Sequence, residues 1–240
     1  MNINDLKRVP TTRFKELGDE GLLEVGHDAL FANKTVVVLS LPGAFTPTCS
    51  SAHLPRYDEL VPVFEGLGVD HVYCVSVNDA FTMQAWGEDL GLRNVRLLAD
   101  GNGDFTDAMG MLVDKSDLGF GRRSWRYSML VRDGVIEKIF SEAEVDGDPF
   151  AVSDAETMLR YLDPAVTIPP AVTIITRKGC SYCKQAKQLL AQRGLSFHEL
   201  LLGRDIGNSV LLGLSGRQTV PQVFINGEHV GGADELASRL

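Results

Sequence analysis

The chain has 240 residues, enough for one large domain or two ordinary ones, and its 44% hydrophobic and 23% charged content is that of a globular protein. A net charge of −9 argues against nucleic acid as the main partner. No apolar run approaches the ~20 residues of a membrane span, and four cysteines are too few for a disulfide scaffold.

Residues 1–14 are polar with scattered charge and lack an apolar secretion core, so the expected setting is cytoplasmic, with individual thiols in a reducing compartment. Residues 25–32 and 34–41 have the texture of a hairpin turning at Ala32-Asn33-Lys34. The β-branched run 35–41 reads as a buried strand. In residues 50–67, Leu54, Tyr57, Leu60, Val61, Phe64 and Leu67 fall three or four apart, a helical rhythm. A second buried strand spans 70–77, with Cys74 as a core thiol among valines. Asn78-Asp79 caps a helix to about Leu90, with Phe81, Ala85, Trp86 and Leu90 on one stripe. A third strand at 95–99 and a short helix at 105–110 follow. Strands 127–132 and 135–140 flank Asp133-Gly134, a strong hairpin signal. Residues 153–162 open with Ser153 and Glu156, a capping box. Strands alternating with helices and closed by a hairpin indicate an α/β layer sandwich of thioredoxin type.

Between the strand at 35–41 and the helix at 50–67 lies Leu41-Pro42-Gly43-Ala44-Phe45-Thr46-Pro47-Thr48-Cys49-Ser50-Ser51. Cys49 therefore sits where a strand hands over to a helix. Free backbone N–H groups and the positive helix end favour a thiolate there. Thr46 brings a hydroxyl toward the sulfur or its target. A lone cysteine in such a place is more often a buried structural thiol. Here, however, Pro42, Thr46 and Cys49 match the Pro-x-x-x-Thr-x-x-Cys signature of peroxiredoxins. Residues 42–50 with His53-Leu54-Pro55 resemble the type-five branch. Arg126-Tyr127-Ser128-Met129 resembles the strand that carries the active-site arginine in that family. The resemblance, over about residues 3–162, implies Cys49 as the peroxidatic nucleophile. Arg126 would hold it as thiolate and polarise the peroxide, with Pro42 and Thr46 completing the site. Arg122 and Arg123 read as solvent-facing loop charges. Trp86 and Trp125 read as packing residues, Trp125 with a second reading as a pocket wall. His53 either polarises the pocket or is a helix-face histidine satisfied by a neighbour. Many type-five relatives carry a resolving cysteine late in this domain, whereas here none lies between Cys74 and Cys180. The first domain needs a thiol from outside to complete its cycle.

Residues 163–170 contain Pro164, Pro169 and Pro170, which no helix can run through, and read as a semi-stiff linker. Charge changes across it: residues 1–170 hold 15 Lys and Arg against 27 Asp and Glu, net −12, and residues 171–240 hold 8 against 5, net +3. A fresh strand at 172–176 leads to Cys180-Ser181-Tyr182-Cys183 and a helix to about Arg193. A Cys-x-x-Cys pair is a zinc half-site, a structural pair or a redox pair. Zinc is disfavoured because a tetrahedral site needs four ligands and no second pair is near, and the strand–turn–helix context favours redox. Cys180 would be the exposed thiol at the helix start and Cys183 the buried one, able to close a disulfide. Thr219-Val220-Pro221 resembles the glutaredoxin Thr-Val-Pro segment, whose proline is cis, and Gly231-Gly232-Ala233-Asp234 resembles that family's Gly-Gly-x-Asp turn. The resemblance implies Cys180 as the glutaredoxin nucleophile, and a glutathione site of Arg177, Tyr182, Thr219, Val220, Pro221, Gly232, Ala233 and Asp234. Asp234 taken alone reads equally as a helix cap. Ser181 departs from the family's frequent proline, which bears on redox poise rather than class.

Together these readings give two thioredoxin-fold α/β domains: a peroxiredoxin-like domain at 1–162, a linker at 163–170 and a glutaredoxin domain at 171–240. The expected function is a glutathione-dependent thiol peroxidase for hydrogen peroxide and small alkyl hydroperoxides, recycled through the second domain. Glutathione is the reducing cosubstrate; no permanently bound cofactor and no metal, flavin or nicotinamide site is expected. The expected assembly is a homo-oligomer, dimer or tetramer, with domains meeting between subunits. Rival readings are an oxidoreductase that deglutathionylates other proteins, its first domain sensing peroxide, and a chaperone-like assembly.

Overall fold

The computed structural model describes residues 6–18, 20–145 and 147–240. The chain separates into two units, Met1–Ile168 and Pro169–Leu240. The first contains β1 (Arg13–Gly18), β2 (Gly21–Gly26), α1 (His27–Phe31), β3 (Thr35–Ser40), a wide π-type turn (Cys49–His53) and α2 (Leu54–Gly66). Next come β4 (His71–Ser76), α3 (Ala80–Leu90), β5 (Arg96–Ala99), α4 (Asp104–Ala108), β6 (Leu112–Asp114) and β7 (Arg122–Ser124). The unit ends with β8 (Tyr127–Arg132), β9 (Val135–Ser141) and α5 (Ala155–Leu162).

Seven strands form one sheet in the order β2-β1-β5-β4-β3-β8-β9. Side chains alternate across it, so β3 feeds two cores. Val37 and Leu39 pack with Leu54, Tyr57, Phe64, Trp86 and Met158 on one face. Val36 and Val38 pack with Phe14, Phe31, Tyr73 and Phe105 on the other. A strand buried on both faces is continuously apolar, which is why residues 35–41 were legible.

Four local expectations are corrected. The hairpin lies one step upstream, between β1 and β2, and residues 27–31 are helical. Leu30 and Phe31 reach the core from one helical face, whereas a strand would send them to opposite sides. On α3 the inward stripe is Met83 and Trp86, while Phe81 is 58% exposed and Ala85 faces solvent. The cap of α5 is Asp154, accepting from Thr157 N at 2.9 Å and Thr157 Oγ1 at 2.7 Å. Ser153 is instead drawn to Glu142, and Glu156 to Arg56. Finally, residues 163–170 do not run free along their length, because Val166 and Ile168 pack against the first core.

The second unit comprises β10 (Val172–Thr176), α6 (Ser181–Gln192), β11 (His198–Leu201), α7 (Asn208–Ser215), β12 (Gln222–Ile225), β13 (Glu228–Gly231) and α8 (Ala233–Arg239). Its sheet has the order β11-β10-β12-β13. Val172, Ile174 and Val223 pack against Ala186 and Leu190 of α6 and Leu236 of α8.

Candidate active site

Strand register explains how residues far apart in sequence meet. β3 and β8 are antiparallel neighbours with Ser40 opposite Tyr127. The loop leaving β3 and the residue entering β8 therefore share one end of the sheet. Arg126 Nη2 lies 3.5 Å from Cys49 Sγ. Both residues are buried, Cys49 at 0% and Arg126 at 1% exposure. A guanidinium this close offers the sulfur an N–H donor and a positive charge.

The wide turn carries His53 to the same place. Arg126 Nη1 lies 2.9 Å from His53 Nδ1. A guanidinium only donates, so Nδ1 accepts and the ring proton sits on Nε2, which donates to Ser153 O at 3.1 Å. Burial, then the Arg126 charge, pushes the His53 pKa down to about 3. The imidazole stays neutral at ordinary pH and acts as a spacer that orients Arg126. Phe150 covers it, with ring centroids 4.9 Å apart.

Glu142 builds the floor under His53. It is buried, and its Oε1 accepts from the N–H groups of Ala151, Val152 and Ser153 and from the Ser153 hydroxyl, at 2.7–2.9 Å. Burial alone would push its carboxyl up; these four donors outweigh burial and hold it below its ordinary value. Ser153 O, fixed in this way, also accepts from Tyr57 Oη at 3.0 Å. Asp148 takes the other edge of Arg126: Nη2 lies 2.5 Å from both carboxylate oxygens and Nε 3.2 Å from Oδ1. Burial alone would lower the Arg126 pKa; hydrogen bonding to Asp148 and the Cys49 charge outweigh it and hold it raised.

The loop before Cys49 is held from below. Asn78 Oδ1 accepts from Ala44 N at 3.0 Å and from Ser76 Oγ at 2.8 Å. Pro42 is buried. Thr46 Oγ1 donates to Gly43 O at 2.7 Å, so its proton is committed and its lone pairs are left as acceptors. Arg122 faces solvent as expected and pairs with Asp107, but it and Arg123 stand on β7, not in a loop. Arg123 departs from that expectation: it folds back and donates to Val77 O at 2.6 Å and Phe120 O at 2.9 Å. Trp86 is buried with its N–H on Ser50 Oγ, and the Trp125 N–H donates to Glu142 O. Cys74 is a buried free thiol whose pKa burial pushes well up.

In the second unit Cys180 is the N-cap of α6, and its sulfur accepts from Cys183 N–H at 3.1 Å. The two cysteines are joined as a disulfide, with Cα atoms 5.3 Å apart. The Val220–Pro221 bond is cis, and Val220 O lies 3.7 Å from Cys180 Sγ. Gln222, unremarked in the sequence, is buried and donates to Thr219 O at 2.8 Å, while its Oε1 accepts from His229 Nε2 at 2.8 Å. An open groove of about 550 Å³ beside Cys180 is lined by Arg177, Lys178, Lys184 and Lys187, with Glu199 paired to Lys187. Of the expected glutathione residues only Arg177 lines it. Tyr182 is 61% exposed, Thr219 and Asp234 are also exposed, and Ala233 is buried. The cap of α8 is Gly232, whose N–H donates to Glu235 Oε2 at 2.9 Å, so Asp234 is not the cap.

The Redoxin family profile matches residues 7–159 and the Glutaredoxin profile residues 172–230. The chain is 56% identical to the hybrid peroxiredoxin hyPrx5 of Haemophilus influenzae, over 96% of this chain and 95% of the relative. The chain belongs to the hybrid peroxiredoxins. Its peroxiredoxin domain is 61% identical to a Synechocystis peroxiredoxin, over 58% of this chain and 75% of that one. It superposes on reduced Prx3 of Vibrio vulnificus in complex with hydrogen peroxide with a TM-score of 0.62 and 43% identity, covering 65% of this chain and 97% of that one. A peroxiredoxin domain followed by a glutaredoxin domain makes this protein a peroxidase of the oxidoreductase class.

The peroxiredoxin site brings Cys49 and Arg126 into contact and adds His53, Glu142, Asp148 and Ser153. Of these four, sequence reasoning weighed only His53, as a possible pocket residue. Glu142 and Asp148 carry no local motif, and the capping pattern at Ser153 pointed elsewhere, because their roles depend on contacts outside their own segment. In this hybrid peroxiredoxin, Arg126→Lys is expected to slow Cys49 oxidation by roughly 10- to 100-fold, since the charge stays but the fork that spans His53, Asp148 and the sulfur is lost. Rapid-quench oxidation by hydrogen peroxide, beside a thermal melt to monitor folding, checks it; an unchanged rate rules Arg126 out of the peroxide step.

Proposed function

We propose that the protein is a glutathione-dependent thiol peroxidase that reduces hydrogen peroxide and small alkyl hydroperoxides at Cys49 and recycles that sulfur through Cys180. The observation that carries the reading is the buried Cys49–Arg126 contact in a domain whose other cysteine, Cys74, is a buried core thiol, followed along the chain by a second domain with a Cys180–Cys183 disulfide. Cys49 thiolate attacks the O–O bond, and an alcohol or water leaves with a proton. Arg126 offers N–H groups to the developing oxyanion, and the Thr46 lone pairs accept the peroxide O–H. The resulting sulfenic acid condenses with glutathione and loses water. Cys180 thiolate then attacks the glutathionyl sulfur and frees Cys49. A second glutathione, or Cys183, releases the glutathione held on Cys180.

For glutathione the reading uses Arg177 and the lysines around it for carboxylates, and Tyr182, Thr219, Val220 and cis Pro221 for the peptide backbone. Gly232, Ala233 and Asp234 follow from the family resemblance. A reducing, glutathione-containing cytoplasm is the proposed setting. Steady-state kinetics of the whole chain with glutathione and hydrogen peroxide test the function. Turnover with glutathione alone supports it; a requirement for a separate protein disulfide favours the deglutathionylating reading, and no peroxide consumption overturns both.

The same reading extends to assembly as a homo-oligomer in which Cys180 serves a neighbouring subunit. Eight extended residues reach at most roughly 25–30 Å at ~3.3–3.6 Å each, and the packing of Val166 and Ile168 shortens the tether further. Net charges of −12 for residues 1–170 and +3 for residues 171–240 bias the domains toward each other. Mixing a Cys49→Ser chain with a Cys180→Ser chain is expected to restore activity in mixed oligomers, and salt is expected to weaken it. No recovery despite proven subunit exchange would show that each Cys180 serves its own chain.

A further inference from the structure

Arg126 has five N–H groups and three claimants. His53 takes one on Nη1, and Cys49 Sγ lies 3.5 Å from Nη2. Asp148 takes Nε and reaches the same Nη2 at 2.5 Å, closer than the sulfur does. The guanidinium that should balance a thiolate is thus already balanced by a carboxylate: Nη2 has an N–H for each partner, but the two anions share one positive charge, and the carboxylate lies closer to it. Asp148 is also part of a cover. Phe150, two residues on, lies over His53 and has its ring 5.6 Å from Arg126 Cζ, while Cys49 has no exposed surface. Beyond Phe150 the chain is pinned, because Ala151, Val152 and Ser153 all donate to buried Glu142. Before it, Gly147 has φ of +94°, and its carbonyl accepts from half-buried Lys115 at 3.2 Å. Together with the packing of the Phe150 ring, the Asp148–Arg126 pair therefore holds residues 147–150 down over the sulfur. The Asp148 side chain is itself 39% exposed, so water can replace Arg126 as its partner.

We propose that Asp148 is a positioning residue that restrains the peroxide step. Its carboxylate draws Arg126 from Cys49 and latches residues 147–150 over the pocket, and it releases the guanidinium when a hydroperoxide enters. It touches neither sulfur nor peroxide and acts through Arg126. The inference rests on Cys49 being the peroxide-reactive thiol.

The test measures Cys49 oxidation by hydrogen peroxide in the full reduced chain, by rapid quench and mass analysis of the Cys49 peptide. Asp148→Asn keeps size and an acceptor oxygen but removes the charge. It is expected to oxidise roughly three- to tenfold faster, the scale of one partly exposed ion pair. Asp148→Glu, which restores the carboxylate, is expected to return toward the original rate. In an Arg126→Lys background Asp148→Asn is expected to lose its acceleration, a coupling that a merely structural role would not produce. Asp148→Ser, also uncharged, serves as second probe should the Asn variant fold poorly. An unchanged or slower rate in a folded Asp148→Asn chain overturns the proposal, as does equal acceleration with Lys at 126. If the unsubstituted chain is not oxidised at Cys49 at all, both this proposal and the peroxidase reading at Cys49 fail.

Discussion

Cys49→Ser is expected to abolish peroxide reduction while leaving exchange at Cys180 intact. A serine hydroxyl is not ionised at neutral pH and cannot form a sulfenic acid, so the loss should be at least about a thousandfold, or ~4 kcal/mol of barrier. Cys74 cannot take over. It is fully buried, burial pushes its thiol pKa well up, and it stands mid-strand on β4 as part of the core. The change itself is small, an isosteric swap, so the domain should still fold. Two assays check it: peroxide consumption, which should vanish, and reduction of a small glutathione mixed disulfide, which should continue. Near-normal peroxide turnover would remove Cys49 from the centre of the mechanism.

Cys180→Ser is expected to stop glutathione-supported turnover, by at least roughly tenfold, whereas Cys183→Ser should stay within about threefold of the original. The asymmetry follows from the geometry. Cys180 is the half-buried residue at the start of α6, and Cys183 is 2% exposed beneath it. What supports a negative Cys180 sulfur is the N–H of residue 183, 3.1 Å away, and that group survives substitution of the 183 side chain. An attacking sulfur at 180 and free glutathione are enough for exchange. If Cys183→Ser were as inactive as Cys180→Ser, an obligatory Cys180–Cys183 disulfide would replace direct release by glutathione.

Local chemistry determined much of this protein before any fold was known. Pro42, Thr46 and Cys49 are spaced within one turn of chain, and Cys180 and Cys183 within one turn of helix, so their meaning does not depend on distant residues. The same holds for Asp133-Gly134, whose turn preference alone joins β8 to β9, and for β3, whose burial on both faces leaves an unbroken apolar run. Errors arose where two local signals competed. Residues 27–31 are short and apolar enough to read as strand or helix, and only the position of the core selected the helix. Ser153 and Glu156 satisfy a capping pattern, yet Glu142 and Arg56, 11 and 100 residues away, outbid it.

Tertiary structure alone decided how Cys49 is surrounded. Arg126 comes to the sulfur across 77 residues because β3 and β8 are paired in register. His53 turns inward because the chain from Cys49 winds as a wide turn ahead of Pro55, which has no N–H to continue a regular ladder. Glu142 is buried because three N–H groups of a later loop converge on it, and Asp148 becomes the second claimant on Arg126 because that loop folds back. Arg126 and His53 lie in stretches that resemble the family, but Glu142 and Asp148 belong to no motif. A carboxylate reads as surface charge until the fold supplies its partner, since the cost of burying it is offset only by donors outside its own turn of chain, 9 to 11 residues away for Glu142 and 22 for Asp148.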